Sequence, residues 1–147
     1  MPRYIVVPER EVAPGLVNMA RDVVRIGAAD LDLGVVPEVR WFADTRELPR
    51  TRVASAHEQF VPGDGDPKAG SVPPFVRYAP SRGWDPTPPV VMLNRSECFP
   101  DTALHELRHL WQIKVGRYRA DETSTSELEA DADAWAAEAQ TRLGLGS

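Results

Sequence analysis

The segment His105–His109 reads His-Glu-Leu-Arg-His, and it decides how the rest of the chain is interpreted. On an α-helix, two histidines four positions apart lie on one face, with their backbones about 6 Å apart along the axis. Both imidazoles can then reach one metal ion, and Glu106 can reach a water bound to it. The alternative without a metal is a solvated helix face that carries two exposed histidines.

A site with two histidines needs a third protein ligand, and an acidic, alanine-rich segment downstream supplies several carboxylates. Glu129 follows His109 by twenty positions, and Asp133 follows Glu129 by four. Glu127 and Asp131 form a second pair with the same spacing two positions earlier, so Asp131 is an alternative ligand. Without a metal, these residues would form an ordinary solvated face or cap the helix through Ser-x-x-Glu pairs.

The HExxH motif followed by ExxxD on a second helix resembles the gluzincin class of zinc peptidases, with a thermolysin-like active-site layout. The acidic, alanine-rich helix is also similar to that of ImmA/IrrE-type peptidases and minigluzincins. This resemblance covers residues 90–140 and does not extend to residues 1–89. It implies that Glu129 is the third zinc ligand. It also implies that Asp133 accepts a hydrogen bond from His105 and fixes the tautomer of that imidazole.

The resemblance further implies a zinc-dependent hydrolase with one zinc ion per chain, acting as an endopeptidase on a peptide or protein substrate. Glu106 would be the catalytic residue, because it could take a proton from the attacking water and return it to the leaving amine. Gluzincins usually add a second donor to the oxyanion. Tyr118 is the preferred candidate for that donor, and Arg117 and His57 are the others.

Two other functions remain open on the sequence. One is a zincin-fold protein-binding or regulatory module that does not hydrolyse its partner. The other is a metal-dependent hydrolase that acts on a non-peptide amide, which the sequence does not separate from a peptidase. The intact Glu106 favours catalysis over binding, because a binding module has no need of a general base.

Composition limits the class of protein. A length of 147 residues predicts one compact domain over 1–147, and 42% hydrophobic residues are ordinary for a globular fold. A net charge of −5 argues against nucleic acid and anionic membranes as partners. The single cysteine, Cys98, excludes an intrachain disulfide and is interpreted as a small buried residue. Because no signal peptide or long apolar run is visible, we expect a cytoplasmic protein. The oligomeric state is not predicted.

Hydrophobic periodicity predicts an α+β (mixed α/β) fold, and the resemblance to gluzincins implies that it is a small zincin-like domain. A short sheet of three to five strands would pack on an N-terminal helix, the HExxH helix and a C-terminal ligand helix. The predicted strands are Tyr4–Val7, one within 35–43, and Val90–Asn94, with 51–60 and 75–78 as candidates. The predicted helices begin at Pro14–Gly15, near Pro100 and at Thr125, and they end at Gly27 or Gly34, at Gly116 and at Gly144, respectively.

Three further expectations concern the surroundings of the motif. Val90–Asn94 is either an edge strand able to pair with a substrate or an internal strand. Turn-rich loops over residues 62–74 and 79–89 could form a lid. On the motif helix, Arg108 should point away from the metal and form a salt bridge.

Helical spacing also assigns faces. Ser124 is the preferred N-cap of the last helix, and four residues of the motif helix are expected in the core: Leu104, Leu107, Trp111 and Val115. The metal face of that helix should carry His105, His109 and Gln112. Close packing of the two helices is expected from Ala130, Ala132, Ala134, Ala136 and Ala137 of the last helix.

Overall fold

The computed structural model describes residues 4–54, 59–60, 76–77, 89–96, 99–115 and 125–146. Within these residues the predicted α+β fold class is confirmed. The strands are β1 (Tyr4–Val7), β2 (Glu38–Asp44), β3 (Gln59–Phe60), β4 (Val76–Arg77) and β5 (Val90–Asn94). The helices are α1 (Pro14–Asp30), α2 (Arg50–Ala54), α3 (Pro100–Lys114) and α4 (Thr125–Arg142), and two short 3₁₀ turns cover Glu9–Glu11 and Thr45–Glu47.

The strands form one sheet in the order β3-β1-β2-β5-β4. The β2–β5 pair is parallel and the other pairs are antiparallel. β5 therefore lies between two neighbours, and its residues Val90 and Val91 pair with β4. This arrangement favours the internal-strand alternative, and the side chains of β5 are buried from Val90 to Leu93. The strand leads towards α3, which begins six residues after it ends.

α1 and α3 pack closely in the main core beside the sheet. A side chain at Gly27 of α1 would place its Cβ 2.6 Å from Leu107 Cδ1 and 3.0 Å from Leu104 Cδ2. Both leucines are fully buried. Glycine therefore permits the close approach that seats the first half of α3 against α1.

The predicted end of α1 at Gly27 or Gly34 is wrong, because the helix continues through Gly27 and ends at Asp30. Asp32 takes the left-handed conformation, with φ at 53°. The N–H of Leu33 then donates to the carbonyl of Ala28 at 3.0 Å, which closes the helix end. An aspartate thus takes the position at which the sequence interpretation expected a glycine.

The face of α3 that enters the core differs from the prediction at its C-terminal end. Leu104 and Leu107 are buried as expected, but Trp111 is only partly buried and Val115 is 48% exposed. The helix ends at Lys114, so Val115 lies beyond its last turn. The buried side instead continues through Ala103, Leu110 and Ile113.

α4 contacts α3 through only some of its alanines. Ala132 and Ala136 are buried, as are Leu128 and Ala139. The prediction is wrong for Ala130, Ala134 and Ala137, which are exposed. Positions two apart on a helix point in nearly opposite directions, so only alanines spaced by about four can share one contact face.

Of the candidate strand at 75–78, the described residues Val76–Arg77 form β4, as predicted. The candidate at 51–60 is wrong in its first part, because Arg50–Ala54 form α2, whereas Gln59–Phe60 form β3. Except for Pro89, the candidate lid loops over 62–74 and 79–89 lie outside the described residues, as do Cys98, Gly116 and the Ser124 cap. None of the described helices combines the length and apolar character needed to span a bilayer.

Candidate metal centre

The two histidines of the motif lie one turn apart on α3 and converge. Their Nε2 atoms are 3.0 Å apart, and their ring centroids are 4.6 Å apart. His109 is 1% exposed, whereas the side chain of His105 is 17% exposed. The pair therefore faces from the interior towards the protein surface, as a metal site reached from solvent requires.

Glu129 of α4 completes a triangle of donor atoms. Its Oε2 lies 2.9 Å from His105 Nε2, and its Oε1 lies 2.9 Å from His109 Nε2. The three residues form a group that could hold a metal ion. Tetrahedral zinc with bonds of 2.0–2.1 Å would keep its ligand atoms about 3.3 Å apart, so a shift of a few tenths of an ångström accommodates it. The donor set and its spacing fit the ion.

Asp133 fixes the other ring nitrogen of His105. Its Oδ1 lies 2.7 Å from His105 Nδ1, and this contact is the one predicted for it. A carboxylate accepts a hydrogen bond from an N–H, so Nδ1 carries a proton and Nε2 is the nitrogen at which a metal would bind. One turn of α4 therefore supplies both a candidate ligand and the group that orients another ligand.

Gln112 makes the corresponding contact with His109, and the sequence interpretation gave it no role. Its Oε1 lies 2.8 Å from His109 Nδ1. Its Nε2 donates to the carbonyl of Leu128 and to Asp131 Oδ2, both at 2.9 Å. The position three residues after His109 was the only sequence signal for this contact.

Asp131, the alternative ligand, faces another set of partners. Arg108 donates to its two carboxylate oxygens at 2.9 and 3.2 Å, and the guanidinium lies 3.7 Å from the centroid of the Trp111 ring. The salt bridge expected of Arg108 is thus present. Asp131 does not belong to the donor group found within the described residues, and Glu127 is exposed in the first turn of α4.

Glu106 is buried beside the histidines. Its Oε1 lies 4.0 Å from His105 Nε2. Its Oε2 is fully buried and has no hydrogen-bond partner among the described residues. Burial raises the pKa of Glu106 to about 7, although the neighbouring histidines oppose this shift. A buried carboxylate oxygen without a partner is costly, so its presence points to a polar group that it is meant to meet.

The charges of the cluster are strongly coupled. Burial lowers the pKa of His105, but the hydrogen bond to Glu129 and the nearby carboxylates outweigh burial and raise it to about 9. The pKa of His109 is raised by the same balance. The hydrogen bonds from both histidines hold the pKa of Glu129 well below its usual range. Protons and a divalent cation would therefore compete for the same donor atoms.

The candidate oxyanion donors Tyr118, Arg117 and His57 lie outside the described residues. Arg108, the cation within the motif itself, contacts Asp131 and Trp111 instead. The described part of the chain therefore places four groups at the centre, His105, His109, Glu129 and Glu106, with two supporting contacts behind them.

Comparison of the chain with models of known families, with curated proteins and with solved structures gave no match.

Proposed function

We propose that this protein is a zinc-dependent hydrolase with a zincin-like fold, and that it is an endopeptidase. The observation that carries the proposal is the convergence of His105, His109 and Glu129 next to the unpartnered, buried oxygen of Glu106. Two imidazoles and one carboxylate are a known ligand set of catalytic zinc, which leaves a further position for water.

His105, His109 and Glu129 would hold the ion. When bound, zinc lowers the pKa of its water to about 7 and polarises the carbonyl under attack. Asp133 and Gln112 contact the Nδ1 atoms of the two imidazoles, which leaves both Nε2 atoms on the side of Glu129. These side chains thus arrange the centre in advance.

Glu106 acts as the general base. It accepts a proton from the attacking water and then delivers it to the leaving amine. Its buried position suits this role, because a carboxyl group whose pKa is raised to about 7 can both take and release a proton near neutral pH. A residue kept only for structure would be more stable as an amide or an apolar side chain.

A peptide bond is the substrate favoured by the HExxH and ExxxD pattern and its resemblance to gluzincins. Glu106 distinguishes a hydrolase from a non-hydrolytic binding module. A peptidase and a hydrolase of other amides would differ only in the substrate that they cleave, so a direct assay must separate them.

The test is hydrolysis of a quenched fluorescent peptide library by the zinc-loaded protein, compared with the Glu106→Gln variant. Glu106→Gln keeps the size of the side chain and should lower the rate by about 10²–10⁴-fold, because it removes the base. Zinc content should be unchanged. Glu127→Gln is the matched control, since it makes the same chemical change on the exposed face of α4.

Equal hydrolysis by wild type and Glu106→Gln would contradict the assigned base. A protein that binds one zinc ion and cleaves small non-peptide amides, but no peptide, would be a metal-dependent hydrolase of non-peptide amides and not a peptidase. Zinc without hydrolysis of either substrate would favour the binding module.

A further inference from the structure

We propose that Gln112 is a positioning residue that sets the tautomer of His109 and ties it to the helix that carries Glu129. This inference rests on the proposed metal centre and adds a residue to it. It concerns which nitrogen of His109 bears the proton, and that can be measured without hydrolysis.

The orientation of the Gln112 amide follows from its partners. Two acceptors, the Leu128 carbonyl and Asp131 Oδ2, lie 2.9 Å from one end of the amide. Only the NH₂ group can donate to both, so the amide oxygen must face His109. Arg108 donates to both oxygens of Asp131, which keeps that carboxylate charged and in place.

The orientation of the amide then dictates the state of the imidazole. The oxygen of Gln112 accepts and cannot donate, so His109 Nδ1 must carry a proton at their separation of 2.8 Å. The remaining nitrogen, Nε2, faces Glu129 and His105, and it is the nitrogen whose lone pair a metal would take once its own proton has left. Both Gln112 and His109 are 1% exposed, so solvent water has little access to replace this contact.

The same side chain also joins the two ligand-bearing helices. Its donor contact at Leu128 is on the residue immediately before Glu129, and its other contact is two residues after Glu129. Gln112 thus contacts α4 on both sides of Glu129 in sequence, and it also contacts the imidazole of His109. A change at Gln112 should therefore affect metal affinity more than its distance from the metal atoms suggests.

The experiment compares wild type with Gln112→Met and Gln112→Glu. Methionine is of similar length but accepts no comparable hydrogen bond. Glutamate keeps an oxygen that can accept from His109 but loses both donor contacts to α4, so it separates the effect on the imidazole from the link between the helices. The first readout is zinc affinity, measured by competition with a chelator. We expect Gln112→Met to bind zinc about 10–100-fold more weakly, as for other residues that support metal ligands. Gln140→Met is the control, because Gln140 contacts Gly146 at the far end of α4.

The second readout is the protonation of the His109 ring nitrogens, measured by ¹⁵N NMR in the zinc-bound protein and in metal-free protein at alkaline pH. Wild type and Gln112→Glu should show a protonated Nδ1 and an unprotonated Nε2, and Gln112→Met should lose this preference. A merely structural role would lower the stability of Gln112→Met without changing the ring nitrogens or the affinity.

Two results would overturn the inference. One is a wild-type His109 with its proton on Nε2, which needs no variant to observe. The other is a folded Gln112→Met protein with wild-type zinc affinity and an unchanged tautomer. Neither result depends on hydrolysis, so failure of the peptidase proposal and failure of this one are separable.

Discussion

At the scale of single residues, the centre contains a group that is unfavourable for folding alone. Glu106 buries a carboxylate oxygen without a hydrogen-bond partner in the described residues. Such local costs are characteristic of functional sites, where the geometry serves chemistry before stability. His105 and His109 instead form favourable contacts with Glu129 at 2.9 Å, so a metal ion would have to displace the protons that these contacts hold.

Zinc affinity should rise with pH from about 6 to about 9. The pKa of His105 is raised to about 9 in the metal-free protein, so below that pH a proton must leave before zinc binds. Each displaced proton changes the apparent affinity by about tenfold per pH unit. Chelator competition at several pH values measures the slope. An affinity that does not change with pH over this range would contradict the charge coupling described for the cluster.

The stability of the metal-free protein should change in the opposite direction. A histidine with a raised pKa stabilises the folded state below its unfolded pKa of 6.5, and this contribution is lost as the pH rises through about 9. Thermal unfolding of chelator-treated protein should therefore begin at lower temperature at pH 9 than at pH 6. The increase in stability on adding zinc should be larger at pH 9.

At the scale of elements, the contact between α3 and α4 determines whether Glu129 can reach the histidines. Ala132 is fully buried in this contact, one turn from Glu129, and Gln112 bonds across it to Leu128. The small side chain allows two helix backbones to approach, and the short metal bonds require that approach. A change at Ala132 should therefore alter both the packing of α3 against α4 and the binding of a metal.

Ala132→Leu should weaken both stability and zinc binding. The larger side chain would push α4 away from α3, at a cost of about 1–3 kcal/mol in the free energy of unfolding. It would also move Glu129 away from His105 and His109. Urea unfolding and chelator competition measure the two effects. Ala134→Leu, on the exposed side of the same helix, is the control and should change neither. Loss of zinc from both variants alike would contradict the assigned contact face.

Gly27→Ala tests the packing of α1 against α3. Alanine is favoured over glycine in a helix by about 0.5–1 kcal/mol. At this position, however, its Cβ would meet Leu107 Cδ1 at 2.6 Å, and overpacking costs about 1–3 kcal/mol. We therefore expect a net loss of stability in urea unfolding. Gly15→Ala is the matched control, because no atom lies within 4 Å of its added Cβ. A Gly27→Ala protein that is more stable than wild type would contradict this expectation, because it would show that Leu104 and Leu107 can move to make room for the methyl group.

At the scale of the whole molecule, the sequence predicts best what depends on short-range geometry. The four-residue spacing of His105 and His109 requires only a helix, and the structure brings them together accordingly. The same holds for β5 and for the position of α3. The α+β class follows because strong apolar runs alternate with long periodic segments.

The sequence could not predict features decided by distant contacts. The resemblance favours Glu129, but spacing alone leaves Asp131 as an alternative ligand, because its contacts with Arg108 and Gln112 span 23 and 19 positions of sequence. The role of Gln112 itself depends on those contacts. The end of α1 was missed because Asp32 takes a left-handed conformation that usually selects glycine. The two-residue strands β3 and β4 lie within the candidate strands at 51–60 and 75–78, but they are too short for periodicity to fix their bounds. A single domain over 1–147 stays a prediction.

The most direct test is the zinc content of purified, reconstituted protein, measured by elemental analysis for wild type and three variants, Glu129→Ala, Asp131→Ala and Glu127→Ala. We predict about one zinc per chain in wild type. Glu129→Ala should lose it, because this change removes a donor atom 2.9 Å from both histidines. Asp131→Ala and Glu127→Ala should retain it. Absence of zinc from wild type after reconstitution, or its loss with Asp131→Ala but not with Glu129→Ala, would contradict the proposed metal centre.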